Sequence, residues 1–249
     1  MDKENLNKIT EVIMSKKETI KLLLLPYAGG SGLFYTHWEK YLDEHIILSP
    51  VELPGRGSRF KEPLCDNTDK VIDSIFDFVK DEIKDCNYAI FGYCVGTVLV
   101  YELYKRIVDN NLREPSHCIL CAHPAPNIPK KDKPLKNTSE EELIEEWLRG
   151  SRITKEDLKN KAYLKSFFRV WKSDCKMMDN YRFSYPIYKF NCNLTLIGGK
   201  EDTFFAPNEL IDEWKKFSNH NCNKYVVDGS HDFLKTNESA VIDVINKVL

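Results

Sequence analysis

An unbroken apolar run, YAIFG at residues 88–92, is joined to a long helical period, VGTVLVYELYKRIVDN at 95–110, by only Tyr93 and Cys94. Few folds accept such a junction. The run has no polar alternation, so it belongs to a strand covered on both faces. The helix that follows at once is itself mostly apolar and must pack back on the same sheet. The alternation recurs along the chain. IKLLLLP (20–26), HIILSPVEL (45–53), HCILCA (117–122), LTLIGG (194–199) and KYVVDG (224–229) are further short apolar runs. TDKVIDSIFDFVKDEIK (68–84) carries apolar residues at 71, 72, 75, 76, 79 and 83, the period of an amphipathic helix. Strands alternating with helices predict an α/β fold, a mainly parallel sheet with helices on both faces, in one domain over residues 1–249.

Residues 135–190 break this rhythm. SEEELIEEWLRG and TKEDLKNKAYLKSFFRVWKSDCKMMDNYRF read as helices with no strand between them. An all-helical insertion between two core strands predicts a lid over an active site. Trp171, Phe167 and Phe168 within it are expected to serve helix packing first and pocket lining second.

Composition narrows the function. The net charge of −2 over 249 residues gives no field suited to nucleic acid. No apolar run nears the roughly 18 residues of a membrane span. The opening MDKENLNKITEVIMSKKE has no apolar middle, so a cytoplasmic location is expected. The eight cysteines, at 65, 86, 94, 118, 121, 175, 192 and 222, form no disulfide framework. The pairs Lys130-Lys131 and Lys215-Lys216 read as solvated surface. His117, Cys118, Cys121 and His123 have the residue types of a zinc site. In a strand, however, Cys118 and Cys121 point to opposite faces, so no metal is expected.

Gly92-Tyr93-Cys94-Val95-Gly96 has the form of a G-x-S-x-G nucleophile elbow, with sulfur in place of oxygen. A tight strand–turn–helix leaves no room for side chains two positions either side of the nucleophile. Cys94 would stand at a helix N-terminus, whose N–H dipoles favour a thiolate. The Val95 N–H can then bind the oxyanion of a tetrahedral intermediate. The loop in LLLLPYAGGSG (22–32) offers the second donor, with the N–H of Ala28 ahead of that of Tyr27. Tyr27 and Tyr93 are candidate substrate contacts.

A thiol needs a base. On a fold with this elbow the order is nucleophile, acid, histidine, which leaves His220 and His231 beyond the lid. His231, in DGSHDFL directly after a strand, is the stronger choice; His220 lies in a polar connection. Asp202, at the end of the preceding strand, is the expected orienter of His231 ahead of its neighbour Glu201. Asp232 reads as a neighbour of the base.

Together LPYAGGSG, ELPGRGSRF (52–60), FGYCVG, GGKEDTFFAP and DGSHDFL resemble the type II thioesterases of nonribosomal peptide and polyketide assembly lines. The resemblance runs from about residue 20 to 245. It implies an α/β-hydrolase core with a helical lid. It implies an acyl group tethered to the phosphopantetheine of an acyl or peptidyl carrier protein, and no other cofactor. Its nucleophile falls on Cys94, its acid on Asp202, its histidine on His231 and its oxyanion donors on Ala28 and Val95. Such proteins are commonly monomers. Two departures stand out. The family's nucleophile is usually serine preceded by histidine, here Cys94 preceded by Tyr93; and GGHFFL is here GSHDFL, which brings the charge of Asp232 near the site. Cysteine attack on a thioester yields a second thioester, still activated, so transfer to an amine or internal nucleophile stands beside hydrolysis. Two other readings remain: a dienelactone-hydrolase-like enzyme, which also uses a G-Y-C-x-G elbow and a Cys-Asp-His triad on small lactones, and a non-catalytic carrier-docking module.

Overall fold

The structure is a computed structural model; it describes residues 17–128, 139–149, 153, 155–202 and 212–249. Six strands form one sheet: β1 (Ile20–Leu25), β2 (Ile46–Pro50), β3 (Tyr88–Tyr93), β4 (His117–Cys121), β5 (Asn193–Gly199) and β6 (Cys222–Val227). Their order across the sheet is β2-β1-β3-β4-β5-β6, and every neighbouring pair is parallel. All six apolar runs coincide with strands of this sheet, to within three residues at the ends.

Strict alternation divides the central strands between two cores, while the edge strands β2 and β6 leave Ile47 and Val226 exposed. Leu23 and Leu25 of β1, Tyr88 and Ile90 of β3, Cys118 and Leu120 of β4 pack on one face. Leu22 and Leu24, Ala89 and Phe91, Ile119 and Cys121 pack on the other. Polar substitution has nowhere to go on such strands, which is why they read as continuous apolar runs. Helices α1 (Thr68–Ile83) and α2 (Val95–Asp109) cover the first face. Their stripe includes Val71, Ile75, Val79, Val98 and Leu99. Asn67 starts α1 by accepting the Lys70 N–H on its side chain at 3.0 Å, a cap worth about 1 kcal/mol.

The segment between β4 and β5 holds α3 (Glu140–Arg149) and α4 (Lys161–Asn180). These build a small core of their own from Leu143, Trp147, Ile153, Leu164, Phe168 and Trp171. Trp147 stacks on Phe168 at 4.8 Å and meets Trp171 edge-on at 4.6 Å. The second face of the sheet is covered by a 3-10 turn segment at Gly32–Lys40, a one-turn helix α5 (Phe233–Thr236) and α6 (Glu238–Val248).

Cys118 and Cys121 enter opposite cores. His117 is buried with Nε2 2.8 Å from Thr195 Oγ1, and burial pushes its imidazole down to about 4. No group of three or more potential metal ligands occurs among the described residues. Lys215 and Lys216 pair with Asp212 at 3.0 Å and Glu213 at 2.6 Å. Lys130 and Lys131 lie outside the described residues, as do part of the expected lid and the TFFAP end of the GGKEDTFFAP motif. No helix among the described residues is long and apolar enough to cross a membrane.

Candidate active site

Four loops leave the C-terminal ends of β1, β3, β5 and β6 and converge. In a parallel sheet this edge is where side chains from distant positions meet without distorting the ladder. Cys94 follows β3 with φ 54° and ψ −118°, a positive φ rare for a residue with a Cβ. The neighbouring glycines have a concrete reason. A Cβ on Gly92 would lie 2.4 Å from the Gly96 carbonyl oxygen, and one on Gly96 would lie 2.6 Å from the Leu25 oxygen. The elbow is locked by two further bonds: the Cys94 N–H donates to Cys121 O at 2.9 Å and the Thr97 N–H to Cys94 O at 3.0 Å.

The Cys94 thiol is hydrogen-bonded to the His231 ring. The other side of that ring meets Asp202, with Nδ1 to Oδ2 at 2.8 Å. Asp202 is 3% exposed and His231 5%. Burial alone pushes the imidazole down. The charge of Cys94, hydrogen bonds of the ring with Asp202 and Cys94, and the charge of Asp202 outweigh it, raising His231 from 6.5 to about 9. Cys94 and Asp202 on either side of one buried ring thus favour the imidazolium.

Glu201 has a different task. Its Oε2 accepts the Gly229 N–H at 2.6 Å, and its own N–H donates to Gly229 O at 3.1 Å. It ties the loop after β5 to the loop that carries His231. His220 is exposed, with Nε2 3.1 Å from Asn191 Oδ1.

Val95 is the first residue of α2, so its N–H has no partner within the helix. Among the described residues the Ala28 N–H makes no backbone hydrogen bond either. Ala28 and Cys94 line one cavity of about 40 Å³ together with Tyr27, Tyr93 and His231. Its remaining walls are Trp147, Phe167 and Trp171 from α3 and α4, and Asp232 and Lys235 from the loop after β6 and α5. Of the three lid aromatics singled out in sequence, Trp171 and Phe167 reach the cavity, whereas Phe168 packs in the core of the α3–α4 pair.

Tyr93 does more than line the wall. Its hydroxyl donates to the His231 carbonyl and accepts the Leu234 N–H at 3.5 Å, so it holds the histidine loop. The sequence offered no signal for Trp147 as a cavity residue, because its approach depends on how α3 folds over the elbow. The Asp232–Lys235 spacing of three, at a helix start, is a local signal that both could face one way.

LgrE, a linear gramicidin dehydrogenase by name, from Brevibacillus parabrevis, is 24% identical over 95% of this chain and 90% of its own length. The medium-chain S-acyl fatty acid synthase thioesterase of Homo sapiens is 25% identical over 93% of this chain and 88% of its own. Among solved structures, ClbQ from the colibactin NRPS/PKS pathway superposes with a TM-score of 0.84, covering 92% of this chain and 96% of ClbQ at 23% identity; this is a likeness of fold. The family model of the thioesterase domain matches residues 20–249, from β1 through the last helix, and the chain belongs to that family of thioester hydrolases.

Proposed function

We propose that the chain removes acyl groups from a thioester on the phosphopantetheine arm of an assembly-line carrier protein, through a covalent acyl-Cys94 intermediate. The observation that carries this reading is the hydrogen-bonded series Cys94–His231–Asp202 opening on a cavity also lined by Ala28. The relatives add direction: one is named a fatty acid synthase thioesterase, and ClbQ belongs to an NRPS/PKS pathway.

In this mechanism His231 takes the Cys94 proton and Asp202 stabilises the resulting imidazolium. The sulfur attacks the thioester carbonyl, and the N–H groups of Ala28 and Val95 receive the developing oxyanion. The carbon–sulfur bond to the pantetheine arm breaks, and that thiol leaves with the proton from His231. Water, deprotonated by the same imidazole, then releases the free acid and restores Cys94.

A second reading has its own support. The nucleophile at the elbow is a cysteine rather than a serine, so the acyl-enzyme remains an activated thioester that an amine acceptor can attack. The acyl group would then pass to an amine, with amide and free Cys94 as products.

The deciding experiment is intact-mass spectrometry of an acyl-loaded carrier protein mixed with wild type or Cys94→Ala, with and without an amine. Loss of the acyl group with wild type alone, giving free acid, supports hydrolysis; an amide supports transfer. Retention of the acyl group with wild type, across several chain lengths, refutes the carrier substrate and directs attention to small lactones or to carrier docking without chemistry.

A further inference from the structure

The LPGRG stretch does not contribute to the cavity walls, yet its Arg56 forms a buried ion pair at this end of the sheet. Arg56 and Asp174 are 6% and 2% exposed at their side chains. Arg56 Nη1 and Nη2 donate to the two carboxylate oxygens of Asp174, each at 2.6 Å, across 118 residues of sequence. A charge pair this buried is costly unless every arm finds a partner. Further contacts tie the pair to the loop opposite Cys94, while Arg56 Nε has no partner among the described residues. Asp174 Oδ2 accepts the Gly29 N–H at 2.7 Å, and Arg56 Nη1 donates to Gly30 O at 3.2 Å.

That loop is a tight turn. The Gly30 N–H donates to Tyr27 O at 2.8 Å, and Gly29 has φ 78°, the arrangement of a type II turn with glycine at its third position. The central peptide of such a turn, Ala28 to Gly29, has two orientations related by a flip. The flipped form would present the Ala28 carbonyl oxygen to the Asp174 carboxylate where the Gly29 N–H now sits. Asp174 therefore selects one orientation of the peptide that follows the Ala28 N–H. Helix α4 also seats directly on the turn: a Cβ on Gly29 would lie 2.8 Å from Phe167 Cε2 and 3.2 Å from Trp171 Cβ. A second carboxylate continues the grip. Glu52 accepts from the Ser31 hydroxyl at 2.5 Å and the Gly32 N–H at 3.2 Å.

The geometry points to Arg56 and Asp174 as positioning residues that lock the seating of α4 to the conformation of the oxyanion turn at Ala28. The cavity wall from Phe167 and Trp171 and the turn facing the elbow then move as one piece. A substrate that displaces α4 would disturb the oxyanion donor, and one that seats it would complete the donor. This role rests on the acyl-transfer reading only where Ala28 is the oxyanion donor; the clamp itself is a matter of structure.

The test uses Asp174→Asn, Arg56→Gln and Arg56→Lys in the full chain, with three readouts. Thioester turnover should fall about ten- to a hundred-fold in kcat for the first two, with KM little changed, since an oxyanion donor acts mainly in the transition state. Alkylation of Cys94 by iodoacetamide needs the thiolate and no oxyanion donor, so its rate should stay within about two-fold. Hydrogen exchange at the Gly29 amide should quicken together with that of α4. Arg56→Lys, which keeps the charge but not the fork, should lie between. A matching loss of turnover and alkylation would overturn the positioning role and leave a general loss of fold. Unchanged turnover in Asp174→Asn would overturn it as well. Wild type inactive on thioesters would sink the acyl-transfer reading alone, and the exchange of Gly29 and α4 would still decide the clamp.

Discussion

Replacement of Cys94 by alanine should lower the titration of His231. The ring is buried, which by itself disfavours the imidazolium, and the largest of the opposing influences is the charge of Cys94. With Cys94 removed, one charge and one hydrogen bond are lost while the burial stays. Wild-type His231 is raised from 6.5 to about 9, a gap worth about 3 kcal/mol at roughly 1.4 kcal/mol per pH decade. The folded-state value lies above the unfolded one. The stabilisation is therefore fully present below pH 6.5 and is lost as pH rises through about 9. Long-range ¹H–¹⁵N NMR of histidine-labelled protein follows the ring directly, and urea unfolding at pH 6 and pH 10 reads the linkage. We expect a wild-type transition near 9, a lower one by more than about one pH decade in Cys94→Ala, and a smaller stability difference between the two pH values in the variant. A wild-type transition near 6.5 that does not move in Cys94→Ala refutes the reasoning.

Three further outcomes are expected. Tyr93→Phe deprives the buried His231 carbonyl and the Leu234 N–H of a partner; urea unfolding should show a loss of about 1–3 kcal/mol, with turnover reduced, and unchanged values for both would remove Tyr93 from the support of the histidine loop. Cys94→Ser turns the acyl-enzyme into an oxygen ester, less reactive to amines, so the ratio of amide to acid found by mass spectrometry should fall; an equal ratio counts against an acyl-cysteine as the transferring species. Trp147→Ala opens the cavity from the α3 side, and KM for longer acyl chains should drop relative to short ones, while a flat chain-length profile would place the acyl chain elsewhere.

The strands, the two sheet-covering helices and the elbow were legible because each depends on contacts a few residues apart. A run buried on both faces must be apolar throughout, and Gly92 is demanded by atoms of the same turn; Gly96, marked by the motif spacing, is demanded by the distant end of β1. His231 and Asp202 were legible through topology, since groups at the C-terminal ends of neighbouring parallel strands meet. The choice between Asp202 and Glu201 followed from their place in the chain; the structure adds the reason that Glu201 is engaged with Gly229.

What sequence could not supply are pairings between distant segments. Tyr93 lines the cavity, and its hydroxyl also holds a carbonyl 138 residues away. Arg56 stood out only as part of a family pattern, and its partner Asp174 was one acid among many on an amphipathic helix. Trp147 became a wall of the cavity through the fold of α3. The sequence by itself determined the parallel sheet, the strained cysteine and the residues available to serve it, because these follow from local periodicity and local sterics. Only the tertiary structure decided the strand order, the walls around Cys94 and the clamp behind Ala28, because side-chain direction and long-range contact depend on how whole elements pack.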